Sequence, residues 1–293
     1  MTGTARDAGR AAPRRAPATW LPAPEPGRAA LVTGASSGLG AELARALAGR
    51  GHDVVLVARR GERLQDLARE LAGSGPTVHA VPCDLTAPDQ RASLAAELAG
   101  RGLEVSILVN AAGAGAAGDF LGVDRERQVA DMRLGLEAAV DLCARFGPAM
   151  VARRSGAVLS VCSLFSWTPV PRMAAYAAAK AGLLSFTEAL HVELKQHGVA
   201  VTALCPGTMP TEFMPRAGLA ATVATMPALA LDDPRQVAER GLQALARNRR
   251  VAAPSMVDRS TTALLRALPR GLLLGVLERW SPFPAAAPSA APS

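Results

Sequence analysis

Short apolar runs alternate with longer helical stretches from residue 29 to residue 253. Most of the runs are hydrophobic at consecutive positions, as expected for strands that are covered on both faces. Seven strands are predicted: Ala30–Thr33, Asp53–Ala58, Thr77–Val81, Val105–Val109, Ala157–Val161, Val199–Leu204 and Arg249–Ala252. Strands that alternate with helices form a parallel sheet with right-handed crossovers. The pattern therefore predicts one α/β domain, with a doubly wound parallel sheet of the Rossmann type.

Helix ends are also marked in the sequence. Asp233 before Pro234 is typical of an N-cap followed by the first helical residue, and Gly51 and Gly198 suit helix C-termini. Each of these positions falls between two predicted strands.

The two ends of the chain differ from this domain. Residues 1–28 are rich in Ala, Pro and Arg and are predicted to be a disordered basic tail. Residues 282–293 are also predicted to be disordered, but they carry no charged side chain. Residues 254–281 are rich in leucine, and Pro269 should divide them into two short helices. These helices could pack over the substrate pocket or a subunit interface. They could instead lie on an anionic membrane surface, which is less favoured because a one-sided apolar pattern is absent.

The net charge of +7 lies at these ends, because residues 1–28 hold five arginines and two acids and residues 247–293 hold seven and two. The domain itself is close to neutral and poor in aromatic residues, which argues against nucleic-acid binding. The four cysteines and four histidines are scattered, so no metal site is predicted. Neither a signal peptide nor a membrane-spanning run is recognisable, and we expect a cytoplasmic protein.

A glycine-rich segment, Thr33-Gly34-Ala35-Ser36-Ser37-Gly38-Leu39-Gly40, follows the first strand and opens a helix. Glycines at such a turn let the backbone approach a pyrophosphate, whose charge then sits at the helix N-terminus. The position of the segment makes it a candidate dinucleotide site. The predicted contacts are Gly34, Ser36, Ser37, Gly38, Leu39 and Gly40.

The G-x-x-x-G-x-G spacing resembles the short-chain dehydrogenase/reductase family, and further motifs follow in that family's order. They are Asp84 with Leu85, the turn Asn110-Ala111-Ala112-Gly113, and Pro206-Gly207 followed by Thr211. The resemblance covers roughly residues 29–253. It implies that Asp84 contacts adenine, that Asn110, Ala111 and Gly113 border the cofactor, and that Pro206, Gly207 and Thr211 lie near the nicotinamide. It also implies a homodimer or homotetramer.

The end of the second strand predicts the choice of cofactor. NAD-dependent folds usually carry an acid there, whereas NADP-dependent ones carry arginine for the 2′-phosphate. Arg59 and Arg60 stand at this point, with no acid beside them. Two guanidiniums favour phosphate, so the predicted cofactor is NADP(H), unless both arginines are only solvated.

Tyr176 and Lys180 are four residues apart in a helical stretch, which places them on one face. A phenol titrates near pH 10, and a nearby ammonium and a cationic nicotinamide should lower that pKa. Ser163 follows the fifth strand at the carboxyl edge of the sheet, where ligands bind. In the family, residues so spaced are catalytic, and the lysine also binds the nicotinamide ribose. Ser160 and Ser166 are competing serines.

The family often has an asparagine in the helix after the fourth strand, whose backbone carbonyl holds a water linked to the lysine. Gly135 stands at that place here. Glycine keeps the carbonyl but loosens the helix. This departure keeps an alternative function open: a nucleotide-binding regulator or scaffold with little turnover.

Large apolar residues follow both candidate catalytic segments: Leu164, Phe165, Trp167, Met209, Phe213 and Met214. They either line an apolar substrate pocket or pack in the protein interior like other large apolar residues. In the first case the substrate is a hydrophobic ketone, aldehyde or alcohol, and Met209–Leu231 forms a mobile lid. Arg172 or Arg216 would bind an acidic group of the substrate, unless these arginines are only solvated.

Overall fold

The computed structural model describes residues 19–279, with a seven-stranded parallel sheet at the centre. The strands are β1 (Arg28–Thr33), β2 (Asp53–Ala58), β3 (Val78–Pro82), β4 (Glu104–Asn110), β5 (Gly156–Val161), β6 (Val199–Leu204) and β7 (Val251–Ala252). Their spatial order is β3-β2-β1-β4-β5-β6-β7. All seven strands lie where the hydrophobic runs placed them, with ends shifted by at most two residues. The predicted doubly wound α/β fold is confirmed.

Helices connect the strands and extend beyond the last one. They are α1 (Gly38–Ala48), α2 (Gly61–Leu71), α3 (Pro88–Gly100), α4 (Arg125–Met132), α5 (Ala138–Ala152), α6 (Ala174–Lys195), α7 (Phe213–Arg216), α8 (Ala220–Ala224), α9 (Pro234–Ala246), α10 (Met256–Ala267) and α11 (Arg270–Arg279). The expected N-cap of α9 is present, because Asp233 Oδ1 accepts from Arg235 N at 2.9 Å.

Two helical layers cover the sheet. Alternate residues of β1 point to opposite faces: Ala30 and Val32 pack with α1, α2 and α9, whereas Ala29 and Leu31 pack with α3, α5 and α6. Because both faces are buried, the strands need apolar residues at every position. This two-sided burial explains the continuous hydrophobic runs of the sequence.

A single turn of π-helix, Arg133–Glu137, joins α4 to α5 without a break. Gly135 lies in this turn and is buried. An added Cβ would lie 3.3 Å from the Ala179 Cβ, so the turn packs closely against α6. A π-turn inserts one residue into a helix and is frequent at functional sites.

Residues 19–27, expected to be part of a disordered tail, instead contact the domain. Trp20 N donates to Ala246 O at 2.8 Å, and Trp20 and Leu21 pack against the core beside α9. Apolar side chains of this size order the segment when they find a buried surface. The expectations for residues 1–18 and 280–293 lie outside the described residues.

The C-terminal segment forms two helices, α10 and α11, which separate at Pro269 as expected. α10 contacts the turn of 3₁₀-helix Leu164–Trp167 at the edge of the sheet. None of the helices in residues 19–279 is both long and apolar enough to cross a membrane.

Candidate active site

A cavity of about 1300 Å³ opens at the carboxyl ends of the strands, beside the point where the strand order reverses between β1 and β4. This crevice is where open α/β sheets bind ligands. The sequence-predicted site residues that line it are Gly34, Ser36, Ser37, Gly38, Leu39, Gly40, Arg59, Arg60, Asp84, Leu85, Ala111, Gly113, Ser163, Tyr176, Lys180, Pro206, Gly207 and Thr211. The fold therefore brings to one cavity residues that are spread over 178 positions of the chain.

Close packing of the backbone shapes the glycine-rich turn. Gly34 has a φ of +67°, and an added Cβ would lie 2.9 Å from Ala111 O. A Cβ on Gly40 would collide with the backbone of Gly34, whose carbonyl carbon lies 2.7 Å from that position. Only hydrogen atoms fit at these two points, so the turn forms a tight cradle at the N-terminus of α1.

Thr33 joins this turn to the end of β4. Its hydroxyl donates to Val109 O at 3.2 Å and accepts from Ala111 N and Ala112 N, each at 3.0 Å. The structure leaves Asn110 out of the cavity lining. Asn110 is buried, with Nδ2 donating to Cys143 Sγ at 3.5 Å and with Oδ1 lacking a partner within the described residues.

Arg59 and Arg60 differ in their surroundings. Arg60 donates to Glu212 Oε2 at 2.8 Å, to Ser36 Oγ at 2.9 Å and to Ser37 Oγ at 3.0 Å. Arg59 is exposed, lines the cavity, and makes no hydrogen bond or ion pair within the part of the chain that the structure describes. Arg60 therefore braces the glycine-rich turn, while Arg59 has its donors available.

Asp84 stands at the far end of the same cavity. Its Oδ1 accepts from Thr86 N at 2.9 Å and from Thr86 Oγ1 at 2.8 Å. Burial acts to raise the pKa of this carboxyl, but the hydrogen bonds from Thr86 outweigh burial and the pKa is lowered. The carboxylate is thus ionised and held by its own loop.

Ser163, Tyr176 and Lys180 meet beyond the end of β5. Ser163 follows that strand, and its side chain is hydrogen-bonded to the Tyr176 phenol. Lys180 lies one turn further along α6, with Nζ 5.8 Å from the centre of the Tyr176 ring. The buried Lys180 ammonium donates to Val161 O at 2.6 Å, which fixes it beside the strand end.

Burial dominates the titration of this group. It raises the pKa of Tyr176 to about 12, against which the hydrogen bond from Ser163 acts in the opposite direction. Burial also lowers the pKa of Lys180. The sequence predicted that the pKa of Tyr176 would be lowered, but in the protein without its cofactor this pKa is raised. An ammonium on a neighbouring helical turn does not offset the desolvation of the phenol.

Neither competing serine occupies the same position as Ser163. Ser160 is fully buried in β5, and its hydroxyl has no partner within the described residues. Ser166 is buried, and its Oγ accepts from Ser163 N at 3.2 Å as part of a capping box. Of the three, only Ser163 lines the cavity.

Apolar side chains predominate in the half of the cavity beside Tyr176, and the charged residues Arg127, Asp131 and Arg216 also line the cavity. Phe165 and Phe213 contact the tyrosine ring at centroid distances of 6.5 and 5.4 Å. Leu164, Met209 and Met214 also line this half, as the pocket interpretation expected. Trp167 does not: it packs behind the wall, under the Arg266 guanidinium at 4.8 Å.

Four further apolar residues line this half and were not singled out from the sequence: Met173, Leu219, Val223 and Met226. Three of them lie in the segment that was expected to form a lid. The only sequence signal for them was the density of large apolar residues there, which does not say which side chains face inward.

The expected lid, Met209–Leu231, contacts the glycine-rich turn. Glu212 forms the ion pair with Arg60, and the Thr211 side chain lies 3.1 Å from where a Cβ of Gly38 would be. Arg216 pairs with Glu212 at 2.8 Å, and Arg172 pairs with Asp119 at 3.1 Å. Both arginines are thus engaged within the protein.

Two carboxyl groups, those of Asp232 and Asp258, lie where the segment Met209–Leu231 ends. Asp232 Oδ2 accepts from Gly207 N at 3.2 Å, and the buried Asp258 of α10 lies on the same glycine. Burial, followed by the hydrogen bond and charge of Asp258, raises the pKa of Asp232 to about 6. Sequence reasoning missed this pair, because its members belong to different elements 26 residues apart.

Comparison with known proteins agrees with this geometry. The family model described as short chain dehydrogenase matches residues 28–222. An uncharacterized oxidoreductase of Mycobacterium tuberculosis is 38% identical over 183 residues, which are 61% of this chain and 54% of that protein. Bovine dehydrogenase/reductase SDR family member 7B is 34% identical over 190 residues, 62% of this chain and 58% of that protein. The matched region thus spans little more than half the length of these curated relatives.

Solved structures are similar over a larger share of the chain. A short-chain dehydrogenase from Sphingobium yanoikuyae in complex with NADPH is 31% identical, with a TM-score of 0.72 over 83% of this chain and 97% of that one. The bulky-bulky ketone specific alcohol dehydrogenase from Comamonas testosteroni is 26% identical, with a TM-score of 0.68 over 83% and 95%. A putative NAD(P) dependent gluconate 5-dehydrogenase from Beutenbergia cavernae with bound NADP is 32% identical, with a TM-score of 0.69 over 80% and 97%. The chain belongs to the short-chain dehydrogenase/reductase family of nicotinamide-dependent oxidoreductases.

Proposed function

We propose that the protein is an NADP(H)-dependent oxidoreductase that interconverts a hydrophobic ketone or aldehyde and its alcohol. The observation that carries the proposal is the meeting of Ser163, Tyr176 and Lys180 in the cavity that also holds the glycine-rich turn. A proton donor, a hydrogen-bond donor and a cation therefore face the same space as a phosphate cradle.

The cradle fits a dinucleotide. Because Gly34 and Gly40 lack a Cβ, the backbone of the turn packs closely at the N-terminus of α1, where a pyrophosphate would bind. Arg59, with its donors available, is placed to take the 2′-phosphate, and Asp84 and Leu85 border the adenine end. When bound, the nicotinamide ring supplies or accepts the hydride. The relatives solved with NADPH and NADP support this cofactor.

Each catalytic residue has a separate role. Ser163 donates a hydrogen bond to the substrate oxygen and stabilises negative charge that develops there. Tyr176 transfers a proton between its phenol oxygen and the same substrate oxygen. Lys180, fixed on Val161 O, positions the ribose of the cofactor and places a positive charge beside the phenol.

The pKa of Tyr176 describes which form of the phenol the apoprotein holds. A phenol with a pKa of about 12 is fully protonated at neutral pH, so it is ready to donate. Reduction of a carbonyl requires such a donor, whereas oxidation of an alcohol requires the phenolate. The positive charge of an oxidised cofactor would favour the phenolate that oxidation of an alcohol requires.

The apolar half of the cavity supports the substrate class. Phe165, Met173, Phe213 and Met214 surround the Tyr176 ring, and Leu219 packs in the same apolar cluster. A carbonyl with apolar groups on both sides fits this lining, and methionines adapt to varied shapes. A related structure is a bulky-bulky ketone specific enzyme, which supports the same class.

Replacement of Tyr176 by Phe tests the proposal. Activity is measured with NADPH on a panel of aliphatic and aromatic ketones, and NADPH binding is measured separately by fluorescence. We expect Tyr176→Phe to lose about 10²-fold or more of the reduction rate while binding is retained. Ser163→Ala should also lose activity, with Ser160→Ala as the matched control, because Ser160 lies outside the cavity.

Turnover that survives in Tyr176→Phe would overturn the proposed role of this residue. A wild-type protein that binds NADPH yet reduces nothing in the panel would favour a nucleotide-binding regulator instead.

A further inference from the structure

A second pocket lies apart from the active-site cavity, beside α10. It has a volume of about 310 Å³ and is formed by α9, β7 and α10. The residues that line it do not include any that line the active-site cavity. It is therefore a separate feature of the surface.

Four arginines surround this pocket: Arg240, Arg249, Arg259 and Arg266. Its lining includes no acidic residue. Within residues 19–279, none of the four lies within ion-pair distance of a carboxylate. By contrast, Arg50 and Arg250 on neighbouring elements pair with Glu239 and Glu188. Four guanidiniums at one pocket, none of them ion-paired within the described residues, produce a field that attracts an anion.

Two of the guanidiniums are held by the pocket wall itself. Arg240 Nη1 donates to Pro254 O at 3.0 Å, and Arg259 Nε donates to Ala253 O at 3.2 Å. Arg266 is stacked on the Trp167 ring at 4.8 Å. A guanidinium has five N–H donors, so each anchored arginine keeps several for a ligand. This anchoring reduces the entropy lost when an anion binds.

Thr262 gives an independent indication that this pocket binds a ligand. It lines the same pocket, is only 9% exposed, and its Oγ1 has no hydrogen-bond partner within the described residues. Buried hydroxyl groups are nearly always paired, and an unpaired one calls for an explanation such as an absent ligand. Thr262 and the four arginines therefore supply hydrogen-bond donors to one pocket, a set of residues that suits an oxyanion.

We propose that this pocket binds a phosphate group. Phosphate fits better than a halide because the planar, multidentate guanidiniums match its several oxygens. The volume accommodates the phosphate with a small organic substituent. The phosphate belongs either to a soluble metabolite or to the headgroup of an anionic lipid. The second source suits the exposed apolar residues Met256, Val257 and Leu264 on α10.

The test compares two matched double variants of the full chain. Arg259→Gln with Arg266→Gln removes two charges from the pocket, and Arg270→Gln with Arg279→Gln removes two charges from α11, outside it. Inorganic phosphate is titrated by calorimetry, and vesicles of phosphatidylcholine with or without phosphatidic acid are tested by co-sedimentation. Thr262→Val serves as a third variant that keeps the charge, and circular dichroism checks folding. All titrations are repeated in Arg59→Gln, because the active-site cavity also carries arginine.

We expect the pocket variant to weaken binding of phosphate or of acidic vesicles by about tenfold or more, and Thr262→Val to weaken it severalfold. The α11 variant should bind as the wild type does. Loss with inorganic phosphate identifies a soluble ligand, and loss with vesicles alone identifies a lipid headgroup. Equal losses in the pocket and α11 variants, or no loss in either, would overturn the proposal. Pocket variants that bind normally while Arg59→Gln does not would place the phosphate in the active site instead.

Discussion

Tyr176 is the only tyrosine in the chain, so its ionisation can be followed directly. A phenol in water titrates near pH 10. Burial among Phe165, Phe213 and the stem of Lys180 raises the pKa of Tyr176 to about 12. We expect the ultraviolet absorbance of tyrosinate in the folded apoprotein to rise only well above pH 10, and the protein unfolded in urea to titrate near pH 10.

Circular dichroism recorded along the same titration separates ionisation from alkaline unfolding. A midpoint at or below that of the unfolded chain, in protein that is still folded, would show that the charge of Lys180 outweighs burial. Saturation with NADP⁺ should move the midpoint down, because a positive charge beside the phenol favours the phenolate.

Arg59 and Arg60 are adjacent in sequence but should differ in what their removal does. Arg59→Gln removes a guanidinium whose donors are available, so NADPH should bind at least about tenfold more weakly while NADH binding changes little. Arg60→Gln breaks the bonds to Glu212, Ser36 and Ser37, which brace the turn for either cofactor. It should therefore weaken NADPH and NADH together.

Both dissociation constants are measured by fluorescence with each cofactor. An equal loss of NADPH and NADH in Arg59→Gln would show that Arg59 does not contact the 2′-phosphate. This difference between neighbours could not be predicted from the sequence, because Glu212 joins Arg60 from a segment 152 residues away.

At the scale of an element, the glycine-rich turn can pack against the start of α1 only because Gly40 has no Cβ. Gly40→Ala places a methyl group against the Gly34 backbone, which has no free rotation to relieve it. We expect a loss of about 1–3 kcal/mol in the free energy of unfolding, together with weaker NADPH binding. Chemical denaturation measures the first and fluorescence titration the second.

Gly100→Ala is the matched control. Gly100 is the last residue of α3, and an added Cβ there meets nothing within 4 Å. This replacement should raise the free energy of unfolding by up to about 1 kcal/mol, because alanine restricts the unfolded chain. If Gly40→Ala behaved like the control, the turn would have to be looser than its packing indicates.

The elements differ in how far the sequence predicts them. The strands are predictable because burial on both faces demands continuous apolar runs. The π-turn around Gly135 is not, because it depends on how Leu136 packs against Gly182 of α6, where an added Cβ would lie 2.9 Å from Leu136 Cδ2. Such contacts between helices leave no periodic pattern.

The candidate site shows the same division. Tyr176 and Lys180 are predictable because a spacing of four on a helix fixes their relation. The position of Met226 in the cavity wall, and that of Trp167 outside it, depend on how distant segments of the chain pack together. Arg266, which is 99 residues away in the chain, lies over the Trp167 ring. A sequence motif of short spacing cannot predict such a contact.

At the scale of the whole molecule, Asp232 and Asp258 connect the end of the segment Met209–Leu231, the loop at Gly207 and the C-terminal helix α10. Asp258 is buried and also caps α10 through Ser255, while Asp232 accepts from Gly207 N. Burial, followed by the hydrogen bond and charge of Asp258, raises the pKa of Asp232 to about 6, so we expect the two carboxyl groups to share a proton below that pH. The contacts of these two side chains with Gly207 and Ser255 therefore hold the three segments together.

The sign of the pH dependence follows from this shift. Asp232 has a folded pKa of about 6, above the unfolded value of about 3.9. Its protonation therefore stabilises the folded state fully below the unfolded value, and this contribution is lost as the pH rises through about 6. Partial solvent screening keeps the loss to roughly 1–2 kcal/mol between about pH 4 and pH 8.

Asp232→Asn should remove that dependence, because the amide can donate to Asp258 at any pH. We expect its urea midpoint to exceed that of the wild type at about pH 8 and to approach it at about pH 5. Asp66→Asn, on the exposed surface of α2, is the control and should keep the wild-type pH profile. If Asp232→Asn also kept that profile, the two carboxyl groups would not share a proton, and α10 would be held against Gly207 by packing alone.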